Sequence, residues 1–155
     1  MRNGEGTHHV IRAEVRHSPS FELARGVGKA VVNSPLFKSA VAGNDPNVGR
    51  LVGAVGSYLG RAAPELPLAK VSIDLGGRRI FEGGTFRIDG AAEDALYEHM
   101  RDGLLTGADG SSLHYPPHER CVDIVIDLAQ GDQSCVVHGS DLTQEYVKIN
   151  ADYRS

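Results

Sequence analysis

No tryptophan occurs in this sequence, and cysteine and methionine occur only twice each. Two cysteines in a chain of 155 residues argue against a disulfide scaffold and point to a reducing compartment. No apolar run approaches the roughly 18–20 residues that a membrane span needs. The residues after Met1 are polar and glycine-rich, which predicts no signal peptide. The expected setting is therefore soluble and cytoplasmic, with no membrane partner. Basic residues are scattered: 16 Lys and Arg stand against 20 Asp and Glu, and no more than two are adjacent. A nucleic-acid surface needs clustered cations that displace counterions, so no nucleic-acid partner is expected.

Familiar catalytic and metal motifs are missing too. There is no Gly-x-Ser-x-Gly elbow and no Cys-x-x-Cys pair. Gly26-Val27-Gly28-Lys29 lacks the spacing of a phosphate loop and the Ser or Thr that follows one, and it lies inside a predicted helix. His114 and His118 are separated by Pro116 and Pro117, which forbid the helix that could align them as ligands. His8 and His9 adjoin a predicted strand, where neighbours point to opposite faces. These histidines read as exposed or core-satisfied, and no metal site is expected.

What is present suits one folded unit. Hydrophobic residues make up 41%, an ordinary share for a globular domain, and residues 1–155 are expected to form a single domain. Nineteen glycines exceed the usual roughly 7%, and they fall where elements begin, end or touch. Residues 9–16 alternate as a strand, with Ile11, Ala13 and Val15 on one side. Ser18 and Pro19 predict an N-cap and first turn for a helix to about Val32, which residues 33–35 end. Residues 37–42 read as a short strand. Residues 46–59 read as a helix that starts at Pro46 and stops at Gly60. Gly49, Gly53 and Gly56 inside it imply a compensating close backbone contact, because each costs about 1 kcal/mol against alanine.

Residues 70–75 and 78–82 flank Gly76-Gly77, a type I′ hairpin signal, with Ile73 expected opposite Ile80 and Asp74 opposite Arg79. Residues 91–102 read as a helix with Ala92, Leu96 and Met100 on one face. Val122, Ile124, Ile126 and Leu128 mark the clearest strand, and residues 130–132 are expected to turn it directly into residues 134–138. That hairpin puts Cys135 near Asp127 and roughly 20 Å from Cys121, beyond disulfide reach. Asp141 reads as the start of an Asp-x-x-Gln cap for a last helix, with Leu142, Tyr146 and Ile149 on one face. Residues 106–120 are the most loop-like. The expected class is α+β, with layered helices and a mostly antiparallel sheet.

Four ordered motifs carry a resemblance. Arg2-Asn3-Gly4-Glu5-Gly6 is similar to the R-D-G-E-G motif of the ornithine acetyltransferase (glutamate N-acetyltransferase) family. Ser34-Pro35-Leu36-Phe37-Lys38 and Gly43-Asn44-Asp45-Pro46-Asn47-Val48-Gly49-Arg50 resemble its S-P-L-V-K and D-P-N-W-G-R segments. Val122-Asp123-Ile124, Gly131-Asp132 and Ser140-Asp141-Leu142-Thr143 follow its V-D-I, G-D and C-D-L-T pattern, and residues 146–153 look like its Y-V-K-I-N-A-D-Y end. The matches span almost the whole chain.

The resemblance implies an acyl transfer in arginine biosynthesis. Family members cleave themselves before a threonine, which takes acetyl from N-acetylornithine as an ester and passes it to glutamate. It implies no cofactor, although some members also accept acetyl-CoA as donor. The threonine and oxyanion hole belong before the R-D-G-E-G motif, so no catalytic residue is expected in this chain. The implied partner is the nucleophile-bearing N-terminal part of the enzyme, within an oligomer. The alternative is a truncated, non-catalytic assembly or substrate-binding module.

Three substrate contacts are implied: Glu5 for the ammonium, and Asn150 with Ser155 for the carboxylate. The resemblance further implies that Glu5 and Asn150 face one concavity. Without it, Glu5 reads as a solvated charge, Asn150 as a helix C-cap and Ser155 as a frayed end. The chain departs from the pattern at Val48, where tryptophan is usual, at His9, where lysine is common, and at Arg154-Ser155 in place of Thr-Thr.

Overall fold

The structure is a computed structural model and describes residues 6–105 and 120–151. Among the described residues, six strands form one sheet: β1 (Val10–Ser18), β2 (Ser72–Leu75), β3 (Arg78–Glu82), β4 (Thr85–Phe86), β5 (Val122–Asp127) and β6 (Gln133–Ser140). Their order is β4-β3-β2-β5-β1-β6. β1 and β5 run parallel, and the other neighbouring pairs are antiparallel. The helices are α1 (Phe21–Val32), α2 (Pro35–Ala42), α3 (Val48–Ala62), α4 (Gly90–Asp102) and α5 (Gln144–Ala151). The α+β class and the mostly antiparallel sheet agree with the sequence reading.

Alternation decides which face of the sheet is covered. Ile11, Ala13 and Val15 of β1 are buried, whereas Arg12 and Arg16 are exposed. The register sets Val15 beside Ile126, and Ile126 beside Ile73, so the apolar sides of adjacent strands form one surface. Val27 of α1, Phe37 of α2, Leu59 of α3 and Leu96 of α4 join those strands in one core. Burying each such side chain is worth about 1.5–3 kcal/mol. The other face of the sheet carries charge. Arg12 donates to Asp123 at 2.6 Å, and Arg16 donates twice to Glu14 at 2.8 Å. The Arg16 hydrogen bond lowers the Glu14 carboxyl below its ordinary range, and the Asp123 hydrogen bond raises Arg12.

Several local expectations are corrected. Ser18 stays in β1, paired with Gln133, and Ser20 caps α1 by accepting from the Leu23 N–H at 3.1 Å. Pro19 therefore lies outside the helix. Residues 37–42 belong to α2, not to a strand: Ser34 both follows α1 and caps the next helix, with Pro35 in its first turn. Phe37, Ala40 and Val41 are buried at helical spacing. Asn47, not a residue before Pro46, caps α3, and the helix runs past Gly60 to Ala62. An added Cβ at Gly53 or Gly56 meets nothing within 4 Å, and one at Gly49 meets only the Asn47 side-chain oxygen at 4.0 Å, so among the described residues the expected close backbone contact on α3 is absent. It occurs on α1, where a Cβ at Gly28 would lie 3.1 Å from the Val137 Cβ.

The Gly76-Gly77 turn forms as expected, both residues having positive φ (57° and 74°). Asp74 faces Arg79, but a register shift places Phe81, not Ile80, opposite Ile73. Ile80 is thereby left free to enter the core, where it is 1% exposed. The expected β5–β6 hairpin is also overturned, because β1 lies between the two strands. The connection passes over the end of β1, with Gln130 N–H donating to the His17 carbonyl at 2.8 Å. It does so closely enough that a Cβ at Gly131 would sit 2.3 Å from the Ser18 oxygen. Cys135 consequently pairs with Val15 rather than Asp127. No disulfide joins Cys121 and Cys135.

Candidate functional site

The two ends of the described chain meet at one seam. Residues 6–9 lead into β1, and residues 141–143 join β6 to α5. The Asp141 carboxylate accepts from the His8 backbone N–H at 3.0 Å and pairs with His9 Nδ1 at 2.9 Å. Asp141 is 1% exposed and His9 0%, so this is a fully desolvated pair. His9 Nε2 lies 3.2 Å from Asn44 Oδ1 and 3.2 Å from the Met100 carbonyl oxygen. The expectation that Asp141 caps the last helix is therefore wrong. Its carboxylate is taken by the histidines, and Thr143 caps α5 instead. Thr143 Oγ1 accepts from the Tyr146 N–H at 2.9 Å and donates to the Gly6 carbonyl.

An open cleft of about 760 Å³ lies beside this seam, between α5 and the end of α2. Ser39 and Gly43 line one side, and Thr143, Glu145 and Lys148 the other. Its size falls in the range of small-molecule sites. Glu145 lies in the first turn of α5 and Lys148 in the last, where each opposes the helix dipole favourably. His8, half-buried, reaches Glu145 at 3.2 Å. A carboxylate and an ammonium on one short helix can together address the two charges of an amino acid.

Of the residues named from sequence, Glu5 and Ser155 lie outside the described residues, as do His114 and His118. Asn150 is exposed in the last turn of α5, and its Nδ2 donates to the Tyr146 carbonyl at 2.9 Å. It shares the helix with Glu145 and Lys148 but does not line the cleft. Gly6, which follows Glu5, has φ +68° and lies so close to α5 that a Cβ would fall 2.7 Å from the Tyr146 nitrogen. Sequence reasoning missed the grouping of His9, Asp141 and Asn44. The available signal was that Asn44 and Asp141 both fall in matched motifs without an apolar role.

A further histidine, His99 of α4, accepts from the Asp123 N–H through Nε2 at 3.0 Å. Burial holds it below its ordinary value of 6.5, against the opposing pull of Asp123 and Asp102. Among the described residues no three His, Cys, Asp or Glu side chains group to hold a metal ion. No helix among them is long and apolar enough to cross a membrane.

A sheet covered by helices on one face, with a polar seam joining the chain's ends, is a fold shared with a known enzyme class. The crystal structure of the arginine biosynthesis bifunctional protein ArgJ from Bacillus halodurans superposes with a TM-score of 0.75 and 27% identity, over 98% of this chain and 61% of that one. The chain belongs to the ArgJ family, which it matches over residues 1–155. It is 40% identical to the arginine biosynthesis bifunctional protein ArgJ of Bifidobacterium longum, over 99% of this chain and 34% of that protein. It is 37% identical to the glutamate N-acetyltransferase of Methanosarcina mazei, over 98% of this chain and 34% of that protein. The chain thus spans about a third of the length of these curated relatives.

Proposed function

We propose that residues 1–155 are one domain, the C-terminal part of a glutamate N-acetyltransferase that moves acetyl from N-acetylornithine to glutamate. The nucleophilic threonine lies outside this chain, on the N-terminal part of the enzyme. The observation that carries this reading is the family match over 1–155 by a chain 34% as long as its relatives. The threonine hydroxyl attacks the acetyl carbonyl, the amide C–N bond breaks, and ornithine leaves with the proton on its amine. The glutamate amine then attacks the ester and restores the hydroxyl. This chain contributes binding: Glu5 takes the substrate ammonium, and Asn150 with Ser155 takes its carboxylate. The reaction needs no cofactor.

The exposed surface supports a partner. Helix α5 has no buried residue, and Tyr146, Val147 and Ile149 are 39%, 49% and 40% exposed. Such a helix leaves apolar area for the N-terminal part to cover within the assembled oligomer. Co-expression with the N-terminal two-thirds of a relative tests the reading, with ornithine release from N-acetylornithine and glutamate as the readout. Turnover is expected from the pair and not from 1–155 alone, and a parallel assay with acetyl-CoA asks whether it serves as donor. Turnover by 1–155 alone would refute the placement of the nucleophile. A pair that assembles without turnover would favour a non-catalytic assembly module. In an active pair, Glu5→Gln is expected to raise KM roughly ten- to a hundredfold, as loss of a charge-assisted hydrogen bond does.

A further inference from the structure

His9 is surrounded by acceptors. Its Nδ1 faces the Asp141 carboxylate at 2.9 Å, and its Nε2 faces Asn44 Oδ1 and the Met100 carbonyl, both at 3.2 Å. A neutral imidazole has one N–H and one bare nitrogen. With Nδ1 donating to Asp141, a bare Nε2 would point its lone pair at the Met100 oxygen, and a backbone carbonyl cannot be turned into a donor. Turning the Asn44 amide would satisfy one contact and leave the other repulsive. If both nitrogens donate, every contact is satisfied. Met100 also lies in the last turn of α4, at the negative end of the helix dipole, and its carbonyl, which accepts from the Gly103 N–H at 3.1 Å, keeps a second lone pair facing His9. The charge therefore has a carboxylate on one side and a helix C-terminus on the other.

This buried group ties four separate segments. Asp141 anchors the entrance to α5, and its carboxylate also holds the His8 N–H. Asn44 belongs to the loop between α2 and α3, and Met100 to α4. Beyond His9, the His8 carbonyl accepts from the Leu105 N–H at 2.7 Å, and Asp141 N–H donates to the His9 carbonyl at 3.3 Å. Residues 6–8, which follow Glu5, and α5, which carries Asn150, are both fastened through the same pair. We propose that His9 is an imidazolium in the folded chain and acts as a positioning residue, fixing these two segments relative to each other. Its bearing on substrate rests on the acetyltransferase reading, but the charge and the fastening do not.

The 155-residue chain itself provides the test. Long-range nitrogen–proton correlation of the histidine rings at neutral pH should show both His9 nitrogens protonated, with the assignment made by loss of the signal in His9→Lys. Amide exchange of Tyr146 and Val147, at the start of α5, is the second readout. His9→Gln supplies one donor nitrogen, an acceptor oxygen and no charge, so it cannot donate on both sides, and it should speed that exchange about tenfold or more, the effect expected for losing a charge-assisted contact. His9→Lys supplies a cation with donors for the same acceptors, and should stay near the parent rate. If His9→Gln does not fold, Asp141→Asn replaces it, and its His9 ring should show one bare nitrogen. A bare ring nitrogen in the parent protein, or His9→Lys exchanging as fast as His9→Gln, overturns the proposal. Failure of the co-expressed pair to turn over substrate would count against the enzymatic reading alone.

Discussion

Helix α1 packs on β1 and β6, and helix α5 follows β6 in the chain, yet different physics holds them in place. The twelve residues of α1 bury Ala24, Val27, Gly28, Val31 and Val32 against β1, β6 and α3. The eight residues of α5 bury none. A helix that short is not stable alone in water, so α5 depends on its Thr143 cap and on the polar seam formed by Asp141, His9 and Gly6. Area fixes one helix, and a few directed contacts fix the other. Of the candidate binding residues, Asn150 sits on the second kind of element, together with Glu145 and Lys148 of the cleft.

The largest effect that tests this contrast is expected in the core. Ile126 is 0% exposed and packs between Val15 and Ile73 on neighbouring strands. Ile126→Ala should cost about 2–5 kcal/mol of global stability, through lost transfer energy and the cavity left behind. Denaturant midpoints read from the sheet and from α5 should fall together. A midpoint that moved only for the sheet would show that α5 is held independently of the core, and the contrast would need redrawing.

A smaller and local effect is expected at the seam. Thr143→Ala removes both the cap on Tyr146 N–H and the contact to the Gly6 carbonyl. Loss of a cap costs about 0.5–2 kcal/mol, and here the cost should fall on α5 alone. Amide exchange in residues 146–149 should quicken while the global midpoint barely moves. A fall in the global midpoint as large as that of Ile126→Ala would place the seam inside the main cooperative unit.

The same contrast explains what could be read from sequence. Period-two burial in β1 and β5, the Gly76-Gly77 turn and the Leu96/Met100 face of α4 are local patterns, and they were legible. The insertion of β1 between β5 and β6 was not, because residues 121–138 contain nothing that distinguishes a tight hairpin from one split by a distant strand. Residues 37–42 were too short for periodicity to choose between helix and strand. Asp141 resembled a cap because its true partner lies 132 positions away. The resemblance flagged His9 as a departure, standing where lysine is common, and its three surrounding acceptors give a physical reason why a cationic donor fits there.

His99 gives a third test, on the sheet side of α4. Its folded-state value is depressed by burial, so across the interval below 6.5 the unfolded chain binds more protons than the folded one. Stability therefore rises with pH through that interval and is lost as pH falls, since protonating Nε2 also removes the acceptor for the Asp123 N–H. Denaturation at about pH 7.5 and about pH 5.5, bracketing the ordinary histidine range, should show a drop in the parent that is reduced in His99→Gln. Equal drops in both proteins would mean that His99 binds its proton alike in the folded and the unfolded chain.

The smallest expected effect compares glycines in two helices. Gly28 in α1 and Gly53 in α3 have the same helical backbone role but opposite surroundings. A Cβ at Gly28 would meet the Val137 methyl at 2.7 Å and its Cβ at 3.1 Å. That Cβ is attached directly to the β6 backbone, so the neighbour cannot yield without moving the strand. Overpacking of this kind costs about 1–3 kcal/mol, more than the roughly 1 kcal/mol gained from helix propensity. At Gly53 nothing lies within 4 Å, and the propensity gain is unopposed. Gly53→Ala should raise the stability of the 155-residue chain by about 0.5–1 kcal/mol, while Gly28→Ala lowers it. Thermal or denaturant midpoints of the two variants decide the matter. If Gly53→Ala is neutral or destabilising in the isolated chain, that face of α3 makes contacts which this structure does not contain. If Gly28→Ala is tolerated, the close approach of α1 to β6 is looser than the distances require.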